Sequence, residues 1–367
     1  MVKATLAGAL EEFVAAATDP ARWTTAMEAV ADAAGGYGAG LFPLCGRSPN
    51  IPISRSLERI GEVYVKDGWL NRDERYRATP FLRTHGVTSE FDFMTPDEIA
   101  RHPYYQDFLA PHQLRWFAGV KMAAGDDFWC LSLQRTIAQG PFQPHELQKL
   151  AAFSTRLGGV VALSRSLGMA RAEGALAAFE ATGTGAVMLD RKGEMLLINP
   201  AAEGLLGPDL YLRKRRLVSF DQRAAEALDR ALHDLLWRPD TLGVHQPVVM
   251  PRREGRPILA YPVRLRGLNV DALSPCQAAI LLIGLDQRQA LPNALLRLCF
   301  KLTHAEAKLA ALVGSGVDID TACETLQIGH PTARTQLKLV FAKTGVRRQS
   351  ELVALFSKLL PVSPGCR

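Results

Sequence analysis

The spacing of apolar positions divides the chain into three stretches. In residues 1–150, helical and strand periods alternate. Residues 11–17 and 23–34 predict helices, with Gly35-Gly36 as the stop, and 39–44 predicts a strand. Residues 57–66, 96–100 and 104–109 predict further helices, and 116–123 and 128–134 two adjacent strands joined by the turn 124–127. From Pro141 onward, Leu147, Leu150, Phe153, Leu157, Val161, Leu163 and Leu167 form an apolar seam that predicts one long helix reaching about Ala181. Such a helix suits a dimer spine and equally a layer packed flat on the front part. Its stretch 151–178 reads as a connecting signalling helix.

Residues 179–290 switch to a period of two. Strands are predicted at 185–190 and 194–199, joined by the turn Arg191-Lys192-Gly193, then a helix from Pro200 to Gly207. A helix at 224–236, strands around Glu254-Gly255-Arg256-Pro257 and a last strand at 279–285 follow. Arg213-Lys214-Arg215-Arg216 reads as a solvated loop, since dense charge runs usually face water.

Residues 291–367 predict four short amphipathic helices. Thr303 and Glu306 have the spacing of a capping box, in which each side chain satisfies an amide at the helix start. Leu309, Leu312 and Val313 give that helix its buried face, and Gly314 and Gly316 stop it. Asp318 can cap a second helix, and Gly329-His330-Pro331 opens a third, where proline sits among first-turn amides that are unpaired anyway. Ala333, Leu337 and Val340 share one face of the third helix, and Arg334, Thr335 and Lys338 the opposite one. An exposed face with a small polar residue between cations suits a helix that enters a DNA groove and meets phosphates.

On these residues, the stretch from about Leu302 to Leu355 resembles the LuxR-type (NarL/FixJ-like) helix-turn-helix of bacterial transcription factors. Thr303 and Glu306 match that family's opening, Gly316 its inter-helix glycine, and the run from Thr332 to Leu337 its recognition core. Lys343, Gly345 and Val346 match its exit. The resemblance implies that Arg334, Thr335 and Lys338 meet base edges, that Thr332, Gln336 and Lys343 anchor phosphates, and that Leu352, Val353 and Phe356 pair two copies. Gly329, Gln327 and Gln336 depart from the family's usual Ser, Gly and His. In the middle stretch, Asp190, Gly193, Asn199, Ala201 and Ala202 resemble the entry signature of a PAS domain. The front stretch resembles the α/β/α sensor modules, GAF-like or autoinducer-binding-like, found ahead of LuxR-type tails. Its Tyr64, Trp69 and Asp73 have a spacing similar to that of an acyl-homoserine-lactone pocket, without the rest of that pocket's residues.

Composition bounds the chemistry. Six cysteines, at 45, 130, 276, 299, 323 and 366, form no Cys-x-x-Cys pair, as expected of reduced thiols. His233 and His245 are lone histidines, and His102, Asp107 and His112 lack metal-ligand spacing. No catalytic constellation stands out. The tail holds ten cations, among them Lys358 and Arg367, against five acids, and so much of the chain's +6 charge. A basic patch is the footprint of phosphate binding. No apolar run approaches the ~18 residues of a spanning helix, and no secretion signal opens the chain.

The expectation is a multidomain α+β protein: a GAF-like α/β/α sensor at 1–150, a PAS-like domain at 179–290, and an all-α four-helix helix-turn-helix at 291–367. It would be a cytoplasmic, homodimeric, sequence-specific transcriptional regulator, not an enzyme. Its partners would be double-stranded DNA, the transcription machinery and a small-molecule ligand, with no membrane. No motif requires a cofactor. Trp69, Tyr104 and Trp116 are the expected ligand-pocket residues. The alternative is a sensor or interaction protein whose last helices dock a protein instead of DNA.

Overall fold

Mixed α and β structure is built around separate apolar cores. The computed structural model describes residues 4–44, 51–125, 127–237, 246–264, 272–286 and 293–357. Helices α1 (Leu6–Thr18) and α2 (Trp23–Ala33) open the chain. Thr5 Oγ1 accepts from the Gly8 N–H at 3.2 Å, satisfying one amide that helix geometry leaves unpaired. Strands β1 (Gly38–Pro43), β2 (Val87–Ser89), β3 (Leu114–Ala124) and β4 (Asp127–Thr136) form an antiparallel sheet in the order β1-β4-β3-β2. Side chains alternate across it. Leu41, Val120, Met122, Leu131 and Leu133 pack with Phe13, Met27, Phe153 and Leu157, whereas Phe117, Phe128 and Cys130 belong to another cluster. The second face is covered by α3 (Glu58–Lys66), α4 (Thr79–His85), α5 (Pro96–Arg101) and a wide turn at Tyr104–Leu109. Neither α4 nor β2 was expected; with seven and three residues, both are too short to establish a period.

The long helix is real and is packed along its length. α6 (Pro144–Ala181) buries Leu150, Phe153, Leu157 and Val161 in the front core, and Ala172 in a cluster of the second sheet with Leu176 and Phe179 against it. Residues 151–178 are therefore part of two cores, not a bare connector. Arg135 fixes where α6 starts: its Nη1 and Nη2 donate to Glu146 Oε2 and Oε1 at 3.0 and 2.8 Å. The bond from Arg135 holds the Glu146 carboxyl below its usual range.

The second sheet is five-stranded and antiparallel, β6-β5-β11-β10-β9, from β5 (Gly185–Leu189), β6 (Met195–Ile198), β9 (Val248–Met250), β10 (Ile258–Val263) and β11 (Ala278–Gly284). Between its strands lie α7 (Pro200–Glu203), the hairpin β7 (Leu210–Arg213) and β8 (Arg216–Ser219), and α8 (Gln222–Trp237). The signature residues are structural here. Asp190 Oδ1 accepts from the N–H groups of Lys192 and Glu194, both at 2.8 Å. Asn199 caps α7, accepts from Ala186 N–H at 2.8 Å and donates to Thr184 O at 2.8 Å, pinning the helix to β5. α7 ends at Glu203, short of the expected Gly207. The run Arg213–Arg216 is not a loop: Arg213 pairs with Arg216 across a two-residue hairpin turn. Lys214 and Arg215 there take φ of 49° and 61°, values that suit hairpin twist but strain L side chains.

The tail comprises five described helices, one more than expected: α9 (Asn293–Phe300), α10 (His304–Gly314), α11 (Ile319–Leu326), α12 (His330–Thr344) and α13 (Gln349–Ser357). α9 adds Leu296 to the tail core, and its Phe300 stacks on Phe356 with ring centroids 5.9 Å apart.

Candidate functional site

Two places carry chemistry: the outer face of α12 and a cavity in the front part. Around α12 the tail is held by its caps. The Thr303 N–H donates to Glu306 Oε2 at 2.7 Å and the Glu306 N–H returns to Thr303 Oγ1 at 3.3 Å. Asp318 Oδ1 accepts from Thr321 N–H at 2.8 Å at the start of α11. α11 ends at Gln327 in the left-handed region, φ 54°, a conformation glycine enters at less cost. α12 then seats Ala333 and Val340 in the core. Thr332, Arg334, Thr335 and Lys338 are exposed together, Gln336 is half-buried, and Leu339, 47% exposed, adds an apolar spot. The Thr335 hydroxyl donates to Pro331 O at 2.9 Å, so toward a partner it acts as an acceptor. At the helix start, His330 Nδ1 lies 3.4 Å from Asp320 Oδ1.

Two expectations for the tail need correction. Lys343 is not a free cation: its Nζ donates to Glu306 Oε2 at 2.6 Å, tying α12 to α10. Burial pushes the Glu306 carboxyl up, but the bonds from Lys343 and Thr303 outweigh burial and hold it below its usual range. Leu352 and Phe356 are not available as a pairing stripe, because both are buried in the tail's own core. Phe356 lies on the bare backbone of Gly314, where an added Cβ would sit 2.2 Å from Phe356 Cδ2. Val353 alone of the three is half-exposed.

In the front part a cavity of about 640 Å³ lies among α3, β1 and the 104–109 turn, with Phe42, Ile53, Leu57, Ile60, Phe108 and Leu109 as its apolar wall, Tyr64, Arg75 and Gln134 as inner polar groups, and the exposed Glu58, Glu62 and Lys66 of α3 also lining it. None of Trp69, Tyr104 and Trp116 lines it. Trp69 stacks on Phe108 with centroids 5.4 Å apart and carries the Arg72 guanidinium 4.0 Å over its ring. Tyr104 is fully buried and bonds Arg75, and Trp116 packs on Phe91 at 5.8 Å. Trp69 and Tyr104 both pack on Phe108 and so back the wall, whereas Trp116 lies apart from it against Phe91. Arg75 was missed because it sits in the run Asp73-Glu74-Arg75-Tyr76-Arg77, which reads as surface.

Arg75 organises a buried polar cluster. Its Nε and Nη2 donate to Asp73 Oδ1 and Oδ2 at 3.1 and 3.0 Å, and Tyr64 Oη donates to Asp73 Oδ2 at 2.9 Å. Burial opposes the guanidinium charge, yet Asp73 beside it outweighs burial and keeps it protonated. Burial also raises the hydroxyls of Tyr64 and Tyr104 far above their ordinary range and pushes the Glu90 carboxyl up to about 8.

The remaining candidates do not converge. His102 Nδ1 accepts from Tyr104 N–H at 3.2 Å, His233 stacks on Trp237, and among the described residues no group of three His, Cys, Asp or Glu side chains could hold a metal. Cys130, Cys276 and Cys323 are buried free thiols and Cys299 is exposed; burial pushes Cys130 up to about 12 and Cys276 to about 11. Cys45, His245, Lys358, Cys366 and Arg367 lie outside the described residues. Among the described residues no helix is long and apolar enough to cross a membrane.

No known family's profile matches the chain, and no curated protein does. The similar solved structures include the following two. The ligand-binding domain of VqsR from Pseudomonas aeruginosa matches at 17% identity and a TM-score of 0.29, over 41% of this chain and 94% of that domain. The E. coli DhaR(N)–DhaL complex matches at 13% identity and a TM-score of 0.25, over 76% of this chain and 87% of that one. Scores this low establish no shared fold, so function has to be read from this chain's own residues.

Proposed function

We propose that the chain is a DNA-binding transcriptional regulator that acts by binding rather than by catalysis, with its tail as the DNA reader and its front part as the sensor. The observation that carries this is the build of α12. Its apolar residues other than Leu339 are spent on the tail core, while Arg334, Thr335 and Lys338, with Thr332 one turn earlier, stand outward as a narrow polar and cationic stripe. A helix of that width fits the major groove, where Arg reads guanine edges and Lys meets phosphate. With Lys343 committed to Glu306, phosphate anchoring falls to Thr332, Gln336 and Lys338. Two copies would present two such helices to paired half-sites, and occupancy of the front cavity would shift the population of the DNA-competent arrangement.

The test is selection of bound fragments from genomic DNA by the full-length protein, alongside Arg334→Ala. Enrichment of an inverted repeat that the variant loses is the expected result. No enrichment at any salt concentration, by the full chain or by residues 293–357 alone, would overturn DNA binding and favour a tail that docks protein.

A further inference from the structure

Resting on the front part being the sensing half of that regulator, we propose that its cavity binds a small molecule with an apolar body and an acceptor-only head, a carboxylate on an aliphatic or aromatic chain, held by Arg75. The volume of about 640 Å³ and the wall of Phe42, Ile53, Leu57, Ile60, Phe108 and Leu109 define the body. Pockets of this size with few polar groups suit small organic ligands.

The head follows from which polar atoms are already spent. Asp73 accepts four hydrogen bonds: from the Arg75 backbone N–H at 2.9 Å, Arg75 Nε at 3.1 Å, Arg75 Nη2 at 3.0 Å and Tyr64 Oη at 2.9 Å. A carboxylate with both oxygens doubly engaged has little left for a donor on a ligand, so an amide N–H or an ammonium finds no partner at Asp73, and the other carboxylates of the lining, Glu58 and Glu62, are exposed and screened by solvent. The Tyr64 hydroxyl hydrogen is likewise spent. Arg75 differs: Nε and Nη2 are committed, but Nη1 is buried with no hydrogen-bond partner. An unmet buried donor is destabilising, and an acceptor brought in by a ligand would remove that penalty. Gln134 adapts to the same head. Its Nε2 donates to Ser132 Oγ at 2.7 Å and its Oε1 has no partner. A serine hydroxyl gives or takes, so the amide can turn over and offer its NH₂. Nη1 is the one guanidinium nitrogen left to donate, and its charge favours a carboxylate oxygen over a neutral acceptor. Glu90, pushed up to about 8 by burial, adds no opposing charge near neutral pH.

The experiment is calorimetric titration of the full-length protein with three probes of one chain length: octanoate, octanamide and octan-1-amine. Octanoate should bind about tenfold more tightly than octanamide, and octan-1-amine not at all. The double variant Asp73→Asn/Arg75→Gln removes both members of the ion pair, leaves no orphan charge, and should erase the preference among heads. Gly61→Leu is the control for place. Gly61 lines the cavity from α3, and an added Cβ there meets only the terminal Cδ1 of Ile53, at 2.9 Å. Leu also favours the helix, so the variant should fold and lose both octanoate and octanamide. Equal binding of the three heads, octanoate binding that survives Gly61→Leu, or no binding of any probe would each overturn the proposal. None of these readouts involves DNA, so a tail that reads no DNA would leave them unchanged.

Discussion

Replacing Lys343 by Met separates two roles of one cation. Lys343 Nζ donates to Glu306 Oε2 at 2.6 Å, and Glu306 is only 4% exposed, so the substitution strips a buried carboxylate of a charged partner. A hydrogen bond to a charged group contributes ~1.5–3 kcal/mol. The Lys343 side chain is 35% exposed, and solvent screening trims the expected loss to about 1–2 kcal/mol. That loss falls on the contact between α10 and α12. Hydrogen exchange of their amides in the full chain should therefore accelerate roughly 5- to 30-fold. Binding to DNA supplies the second readout. Each phosphate contact adds about 0.9 to the slope of log affinity against log salt. With its ammonium held by Glu306, Lys343→Met should leave the slope nearly unchanged, while Lys338→Met should lower it by about 0.9. A slope drop of that size in Lys343→Met, with amide protection intact, would refute the structural role and restore Lys343 as a phosphate anchor.

Further outcomes follow from single environments. Between pH 4.5 and about 8 the folded protein holds a proton on Glu90 that the unfolded chain has released. Folding then takes up a proton, and stability falls as pH rises by up to ~1.4 kcal/mol per unit. Glu90→Gln abolishes this, so in denaturant unfolding its advantage over the wild type should grow from pH 5 to pH 7; a constant difference would sink the assignment. Gly314→Ala should destabilise the tail by about 1–2 kcal/mol, because overpacking against Phe356 exceeds the gain in helix propensity. A more stable variant would mean that Phe356 is not seated there. Lys214→Gly should stabilise the hairpin by about 0.5–1 kcal/mol by relieving a left-handed lysine. Arg215 is a poorer choice, since its guanidinium donates to Met195 O at 2.8 and 3.1 Å. Unchanged denaturant unfolding of Lys214→Gly would show that the turn carries no strain.

Local signals in the sequence were legible and long-range ones were not. The seam from Leu147 to Val161, the Thr303–Glu306 cap and the paired strands at β3 and β4 each rest on neighbours within one element. All three stand close to where the pattern put them. The outward grouping of Arg334, Thr335 and Lys338 was also readable, because helical spacing alone decides which residues share a face. What failed depended on partners far along the chain. Arg75 stands among charged neighbours in sequence and no pattern singles it out, yet Tyr104, 29 positions on, encloses it together with Asp73. Lys343 looked free, but Glu306 waits 37 positions earlier. Leu352 and Phe356 looked like a stripe for a second copy because nothing local marks them as core, although both are buried in the tail and Phe356 meets Phe300 of α9 and Gly314. Of the aromatic residues chosen as cavity walls, Trp69 and Tyr104 back the wall at Phe108 and Trp116 packs elsewhere, a distinction that residue type does not carry.

Helix α6 contributes to two cores at once, and helical geometry gives this a consequence for how the chain can change. At about 1.5 Å per residue its 38 residues span about 57 Å. The faces used by Phe153 in the front core and by Ala172 against the second sheet keep a fixed angular phase along that length. Inserting one residue between them would turn the second sheet by about 100° about the helix axis, and three or four residues would return it near its starting phase. Length variation in this helix is thus tolerated in whole turns, and recombination between relatives of different helix length would have to respect that count.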